Sequence, residues 1–262
     1  MNLKAQISIL VNYYLRGILG YFMIFQNAGR FFFCKVILKE SRQYILYLRH
    51  SFTQGKRIGF QVDGIFHGGH FSAVFLRREY GLLNVHSSSV IDVGAANGDT
   101  AIFFYLNGAK KVVAVEPNVM AFEALRRNIS INHLESFIIP MNMAIGGTSD
   151  TITIDPSVKP SLVNTIQRAD VGIQIRIGVL EECLKGLEAP IVLKMDCEGC
   201  EFDAIGNCSL EILSRFDQIL MEFHKDPRLI VSKLQLAGFN VSYDHSASIG
   251  YLHGINTHSQ SR

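Results

Sequence analysis

The chain has 262 residues, of which 48% are hydrophobic and 18% charged, with a formal net charge of +2. That length suits one catalytic domain with an elaboration, and the apolar content excludes a disordered or low-complexity chain. Five cysteines (Cys34, Cys183, Cys197, Cys200 and Cys208) form an odd set without framework spacing, which excludes a small disulfide-stapled scaffold and points to reduced thiols inside a cell.

Charge is unevenly spread. Residues 1–60 carry nine Lys or Arg against one acid, Glu40. Between Ala5 and Gly29 the only charge is Arg16, set among long apolar runs. An arginine at the centre of a membrane span costs roughly 2.5–3.5 kcal/mol on insertion scales, which argues against a spanning helix. No small-residue cleavage site marks a signal peptide. Two readings stay open for residues 1–50. One is an interfacial segment on an anionic membrane, with Arg30, Lys35 and Phe31–Phe33 following the apolar run, which places the chain in the cytoplasm against the inner face of a membrane. The other is a buried helical cap or dimer surface.

In chain order, residues 1–57 read as a helical extension ended by the breaker Gln54-Gly55-Lys56. Arg57–Val62 and Phe71–Phe75 alternate like the strands of a hairpin around His67-Gly-Gly-His70. Two histidines without a nearby acidic partner read as turn residues, and no metal site is expected. From Ser89 the pattern alternates strand and helix. Strands are predicted at Val90–Val93, Val112–Val115, Phe137–Pro140, Ile191–Met195 and Gln218–Glu222. Helices are predicted at Thr100–Leu106, Val119–Ile131, Leu180–Leu187, Cys200–Ser214 and Asp226–Ala237. Extra strands at Thr151–Ile154 and Ile173–Ile177 interrupt the scheme, and Phe239–Tyr243 with Ile249–Ile255 reads as a terminal antiparallel pair. Continuous apolar strands joined by helices mean a doubly wound, mostly parallel α/β sheet covered on both faces. The expected division is an extension over 1–57, a catalytic domain over 58–256 and a polar tail over 257–262.

The segment from Val90 to Thr100 ends a β-branched run in the turn Asp92-x-Gly94-x-Ala96-x-Gly98. Gly94 and Gly98 permit a tight turn and close approach of backbone to a ligand. Glu116 ends the next strand 18 residues past Gly98, near the spacing at which an acid reaches ribose hydroxyls. A pyrophosphate would be repelled by Asp92 and Asp99. A nucleoside with a cationic centre and no phosphate fits better, and S-adenosylmethionine has that chemistry.

Ligands in open α/β sheets lie beyond the carboxyl ends of the strands. Asp92, Glu116, Asn142, Asp196 and the pair Glu222 and His224 all fall near that edge. Lys194 lies inside a strand that should be buried on both faces, where a lysine is costly unless paired. Alternation puts Asp196 on its face, so a structural Lys194–Asp196 salt bridge is one reading and a functional group the other. Cys197-x-x-Cys200 lacks the second pair that a zinc site needs, so it reads as two inert thiols.

Asp92–Thr100, Glu116–Pro117, Asn128, Asn142–Ala144, Met221–His224 and above all the run Lys-Met-Asp-Cys-Glu-Gly-Cys-Glu from Lys194 to Glu201 resemble the FkbM family of S-adenosylmethionine-dependent methyltransferases. The resemblance covers about residues 88–225. It departs at Ala96-Asn97, where Ala-Asn-Ile/Leu-Gly is more usual, and nothing carries over to residues 1–57. It implies a class I Rossmann-like fold whose last strand is antiparallel, and methylation of hydroxyl oxygens, chiefly on sugars and polyketides. It also implies that Asp92, Gly94, Ala95, Asn97 and Gly98 surround the methionine part of the cofactor. Glu116 and the adjoining Pro117 would meet the ribose, and Asn142 and Ala144 the adenine. Asp196, Glu198 and His224 would face the methyl group, with His224 or Asp196 as general base and a Mg²⁺ on Asp196 and Glu198 a lesser alternative.

The expected acceptor is a sugar, glycan, lipid-linked sugar or other small metabolite, held by residues 1–80 and Asp155–Gln167. Two other readings remain. One is a membrane-associated binding or scaffold protein with a vestigial nucleoside pocket. The other is a nucleic-acid methyltransferase, disfavoured because no Asn-Pro-Pro-Tyr-like motif occurs and because the basic residues alternate with aliphatics rather than stacking aromatics.

Overall fold

The computed structural model describes residues 18–41, 43–62, 68–154, 170–244 and 249–258. His67 and all of Asp155–Gln167 lie outside them. The chain divides into two compact units, one of residues 1–79 with 127–133 and one of residues 80–126 with 134–262.

In the first unit, a helix α1 over 18–24 leads to α2 (Ala28–Phe32), which widens into i→i+5 turns at Phe33–Ile37. Strand β1 (Tyr44–Tyr47) pairs antiparallel with β2 (Gly59–Val62), Leu46 opposite Phe60. The extension is therefore not helical throughout. Tyr-Ile-Leu-Tyr has the aromatic and β-branched character of a pleated ribbon, and it buries Leu46 and Phe60 completely. The free N–H groups of β2 are met by side chains: Asn128 Oδ1 accepts from Gln61 and Asn132 Oδ1 from Gly59, each at 2.8 Å. The expected partner of β2, Phe71–Phe75, is helical instead. Phe71 and Phe75 are four residues apart and share one helix face, their rings lying 5.0 and 6.1 Å from that of Phe60. Tyr21, Phe25 and Phe31 complete this aromatic core.

The second unit is built on a seven-stranded sheet. Its strands are β3 (Ser89–Val93), β4 (Lys111–Val115), β5 (Ile138–Met141), β9 (Ile191–Met195), β10 (Gln218–Phe223), β11 (Phe239–Tyr243) and β12 (Gly250–Asn256). The spatial order is β11-β12-β10-β9-β3-β4-β5, parallel except for β12, which runs antiparallel between β10 and β11. This is the mostly parallel doubly wound sheet that the strand–helix alternation predicts. Winding proceeds outward from β3 to β4 and β5, then reverses through β9 and β10, so the switch point lies beside β3. A smaller sheet joins β6 (Ala144–Ile145), β7 (Asp150–Ile154) and β8 (Ile173–Gly178) in the order β6-β8-β7.

Helices α5 (Asp99–Leu106), α6 (Val119–Ile131) and α10 (Arg228–Leu236) form close to their predicted bounds. The expected helix Leu180–Leu187 keeps only Leu180–Cys183. The expected Cys200–Ser214 breaks into α8 (Cys200–Asn207) and α9 (Leu210–Leu213), because Ser209 starts a new helix by accepting Ile212 N–H at 3.1 Å. Ile91, Val93, Leu193, Met195, Ile219 and Met221 are buried with Ile205 and Leu234 on one face of the sheet. Asp92 and Lys194 point to the other face.

Candidate active site

At the switch point β3 and β9 lie side by side, with Asp92 in register with Lys194. Lys194 Nζ is 3.0 Å from Asp92 Oδ1, and both side chains are buried. The same ammonium donates to the carbonyls of Val93 (3.2 Å) and Gly94 (2.8 Å). The other Asp92 oxygen accepts from Thr100 Oγ1 at 2.5 Å, fastening the start of α5. Burial raises the Asp92 carboxyl despite Lys194. Burial also pulls Lys194 down, but Asp92 and Asp196 outweigh it and its net shift is upward. The lysine's partner is thus Asp92 across the ladder, not Asp196 on its own strand as the alternation suggested. An ionic contact to the neighbouring strand is shorter than one two residues along the same strand.

Gly94 leaves β3 at φ +78°, and a Cβ there would lie 1.9 Å from the Asp196 carbonyl oxygen. Only glycine lets these two strand ends run so close. Gly98, at φ +87°, opens α5 against Leu125. Ala95 is buried and donates its N–H to Val115 O at 3.1 Å, while Asn97 Oδ1 accepts from Asp99 N–H at 3.3 Å.

Glu116, one residue beyond β4, turns back onto this loop. Its Oε2 accepts from Ala96 N–H at 2.9 Å and its Oε1 from Asn118 N–H at 2.8 Å. Burial pushes its carboxyl up to about 7, against the pull of those two donors. Asn142 Nδ2 donates to the carbonyls of Glu116 (2.9 Å) and Pro117 (3.2 Å), which brings Asn142, Glu116 and Pro117 together. Ala144 opens β6, partly buried and paired with Ile177.

Beyond β9 and β10 the remaining candidates converge. Asp196 Oδ2 accepts from the Tyr80 hydroxyl at 2.7 Å. Burial alone would raise Asp196, but Lys194, Tyr80, Glu222 and His224 together hold it below the usual carboxylate range. Burial, with Asp196 alongside, pushes the Tyr80 hydroxyl well up. The His224 ring lies between two acids, Nε2 3.2 Å from Glu198 Oε2 and Nδ1 3.6 Å from Glu201 Oε1. Burial raises both glutamates. Glu201 is fully buried, and its Oε2 has no hydrogen-bond partner among the described residues.

Two members of this cluster were not singled out from the sequence. Glu201 closes the Lys194–Glu201 run, so its signal was present; its place in the first turn of α8 aims it inward. Tyr80 precedes the strand–helix pattern and carried no signal. Cys197 and Cys200 form a disulfide with Cα atoms 5.6 Å apart, so the expectation of two free thiols there is corrected. Their separation, from the strand exit to the first residue of α8, suits such a bridge. No group of three or more His, Cys, Asp or Glu among the described residues is arranged to hold a metal ion.

The FkbM methyltransferase domain matches residues 92–241. Among solved structures the chain is similar to the METTL16 MTase domain (16% identity, 70% of this chain and 68% of that one, TM-score 0.43). It is similar also to a precorrin-6y C5,15-methyltransferase from Geobacter metallireducens (14%, 69% and 87%, 0.41) and to a methyltransferase from Geobacter sulfurreducens (15%, 68% and 77%, 0.39). A comparison with curated protein sequences returns no match. The matched domain spans more than half of the residues and includes both the glycine turn and the acid–histidine cluster, and the chain belongs to the FkbM methyltransferase family.

Proposed function

We propose that the protein transfers a methyl group from S-adenosylmethionine to a hydroxyl oxygen on a sugar, glycan, lipid-linked sugar or other small metabolite. One observation carries this reading: the Gly94–Gly98 turn held against Glu116 stands beside the cluster of Asp196, Glu198, Glu201 and His224 on one sheet edge.

The residues fit that cofactor. Lys194, whose ammonium reaches the Gly94 carbonyl of the turn, is committed to Asp92 and two carbonyls rather than free to receive a phosphate. Asp92 supports the turn from beneath, which makes it a positioning residue for Gly94, Ala95, Asn97 and Gly98. Glu116 would accept from ribose hydroxyls on the lone pairs that its two backbone donors leave free. Pro117 and Asn142 fix the angle of that carboxylate, and Ala144 leaves space for a flat base. The cofactor, when bound, supplies an electrophilic methyl on a sulfonium.

His224 is the general base. Its Nε2 takes the proton of the acceptor hydroxyl in place of its contact with Glu198, and Glu201, 3.6 Å from the buried Nδ1, stabilises the imidazolium that results. General-base assistance of this kind contributes about 10²–10⁴-fold. Asp196 is a poorer base, being held ionised below the usual range with one oxygen occupied by Tyr80. Its negative charge instead faces the cationic donor. The experiment is transfer of labelled methyl from S-adenosylmethionine into a whole-cell extract, fractionated afterwards into metabolites, glycans, protein and RNA, with mass spectrometry of the labelled product. Labelled hydroxyl ethers are expected. Label in RNA or protein alone would overturn the acceptor class.

A further inference from the structure

Away from the candidate site, an exposed apolar surface belongs to the first unit. Leu19, Met23, Phe33 and Ile37 are 59%, 58%, 56% and 65% exposed, and Val36 and Leu38 are exposed beside them. Phe33, Val36 and Ile37 adjoin one another. Ile18, Phe22, Phe32, Phe33, Val36 and Ile37 line one apolar hollow of about 350 Å³, and the rings of Phe22 and Phe32 stack at 5.3 Å. Isolated apolar side chains on a surface are ordinary, but a joined patch of this kind marks a contact.

Cations lie in the same stretch of chain. The Arg49 guanidinium donates to Phe22 O at 2.8 and 3.1 Å, fixing a positive charge at the end of α1. Arg30 and Lys39 are exposed, and Lys35 stands over the Tyr44 ring at 5.5 Å. The one acid within residues 1–60, Glu40, accepts from the Tyr44 hydroxyl. No helix among the described residues is long and apolar enough to cross a membrane.

We infer that this face, built by residues 18–24 and 31–39, docks the protein on the surface of an anionic lipid membrane. Phe22, Phe33, Val36 and Ile37 enter the boundary between headgroups and acyl chains, while Arg30, Lys35, Lys39 and Arg49 meet the lipid phosphates. Charge complementarity selects this occupant, because a surface with many cations and one engaged acid lacks the mixed signs by which a second copy would pair with itself.

Sedimentation of the full chain with vesicles tests it, independently of the active-site assignment. Binding to phosphatidylcholine vesicles containing phosphatidylglycerol is expected, weaker on phosphatidylcholine alone and weakened by salt. The double variants Phe33→Glu/Ile37→Glu and Arg30→Glu/Lys39→Glu should each reduce binding about tenfold or more, with thermal unfolding unchanged, since all four positions are exposed. Failure to bind the anionic vesicles would overturn the inference. So would binding by both variants at the wild-type level, or a dimer that Phe33→Glu/Ile37→Glu converts to monomer while vesicle binding stays intact.

Discussion

Lys194 and Asp92 form an ion pair 3.0 Å long between adjacent parallel strands, with neither side chain accessible to solvent. It joins the two strand ends from which the candidate cofactor turn and the acid–histidine cluster depart. Removing one partner of a buried pair leaves an uncompensated charge. Lys194→Met should therefore cost about 3–5 kcal/mol of stability, and Asp92→Leu in the same chain should restore much of it. Urea unfolding of the single and double variants measures the coupling; additive losses would show that the pair does not act as a unit.

Cofactor affinity should depend on pH through Glu116. Its carboxyl, raised to about 7, is protonated at pH 6, and a protonated acid is a poorer acceptor for ribose hydroxyls. Affinity should rise from pH 6 to pH 8 and level off above. Glu116→Gln should be weaker at pH 8 and nearly flat across the range. For folding the sign is opposite: the raised value favours the folded chain below the unfolded value of 4.5, a contribution lost as pH climbs through about 7. Calorimetric titration and unfolding at both pH values separate the two effects.

His224→Ala should lower methyl transfer by about 10²–10⁴-fold while leaving S-adenosylmethionine affinity within about threefold. Glu201→Gln should lower transfer less, by weakening the imidazolium. If His224→Ala transfers at the wild-type rate and Asp196→Asn does not, the base has been misassigned.

Gly94→Ala places a methyl group on the Asp196 carbonyl, at a φ that alanine rarely adopts. A loss of about 1–3 kcal/mol or failure to fold is expected from overpacking of this kind, whereas Gly206→Ala, where nothing lies within 4 Å, should be near neutral. Differential scanning calorimetry compares them.

Thiol counting without reductant under denaturing conditions should find Cys34, Cys183 and Cys208 and not the remaining two. Five reactive thiols would contradict the Cys197–Cys200 bridge.

What the sequence made legible follows from the range of the forces involved. Strands β3, β4 and β9 are short apolar runs whose burial is written in consecutive residues, and their bounds fall within a residue of those predicted. Glu116, Asp196 and His224 stand out in the sequence because each follows such a run at the sheet edge. The pairing of Tyr44–Tyr47 with Gly59–Val62 was missed because a hairpin partner is chosen across space. Phe71 and Phe75 fit a strand's alternation and a helix's four-residue repeat equally well, and only the aromatic core decides between them. The same limit hid the partner of Lys194, which depends on the register between β3 and β9. Tyr80 reaches Asp196 from 116 positions away, a distance over which local pattern carries no information.

The most direct measurement is calorimetric titration of the folded chain with S-adenosylmethionine at pH 8, beside Glu116→Ala. The account predicts one saturable site in the wild type and an affinity at least about tenfold weaker in the variant, the loss typical of charged hydrogen bonds. A well-folded wild-type protein that takes up no S-adenosylmethionine, or a variant that binds it equally well, would contradict the claim that this strand edge grips a sulfonium nucleoside through Glu116.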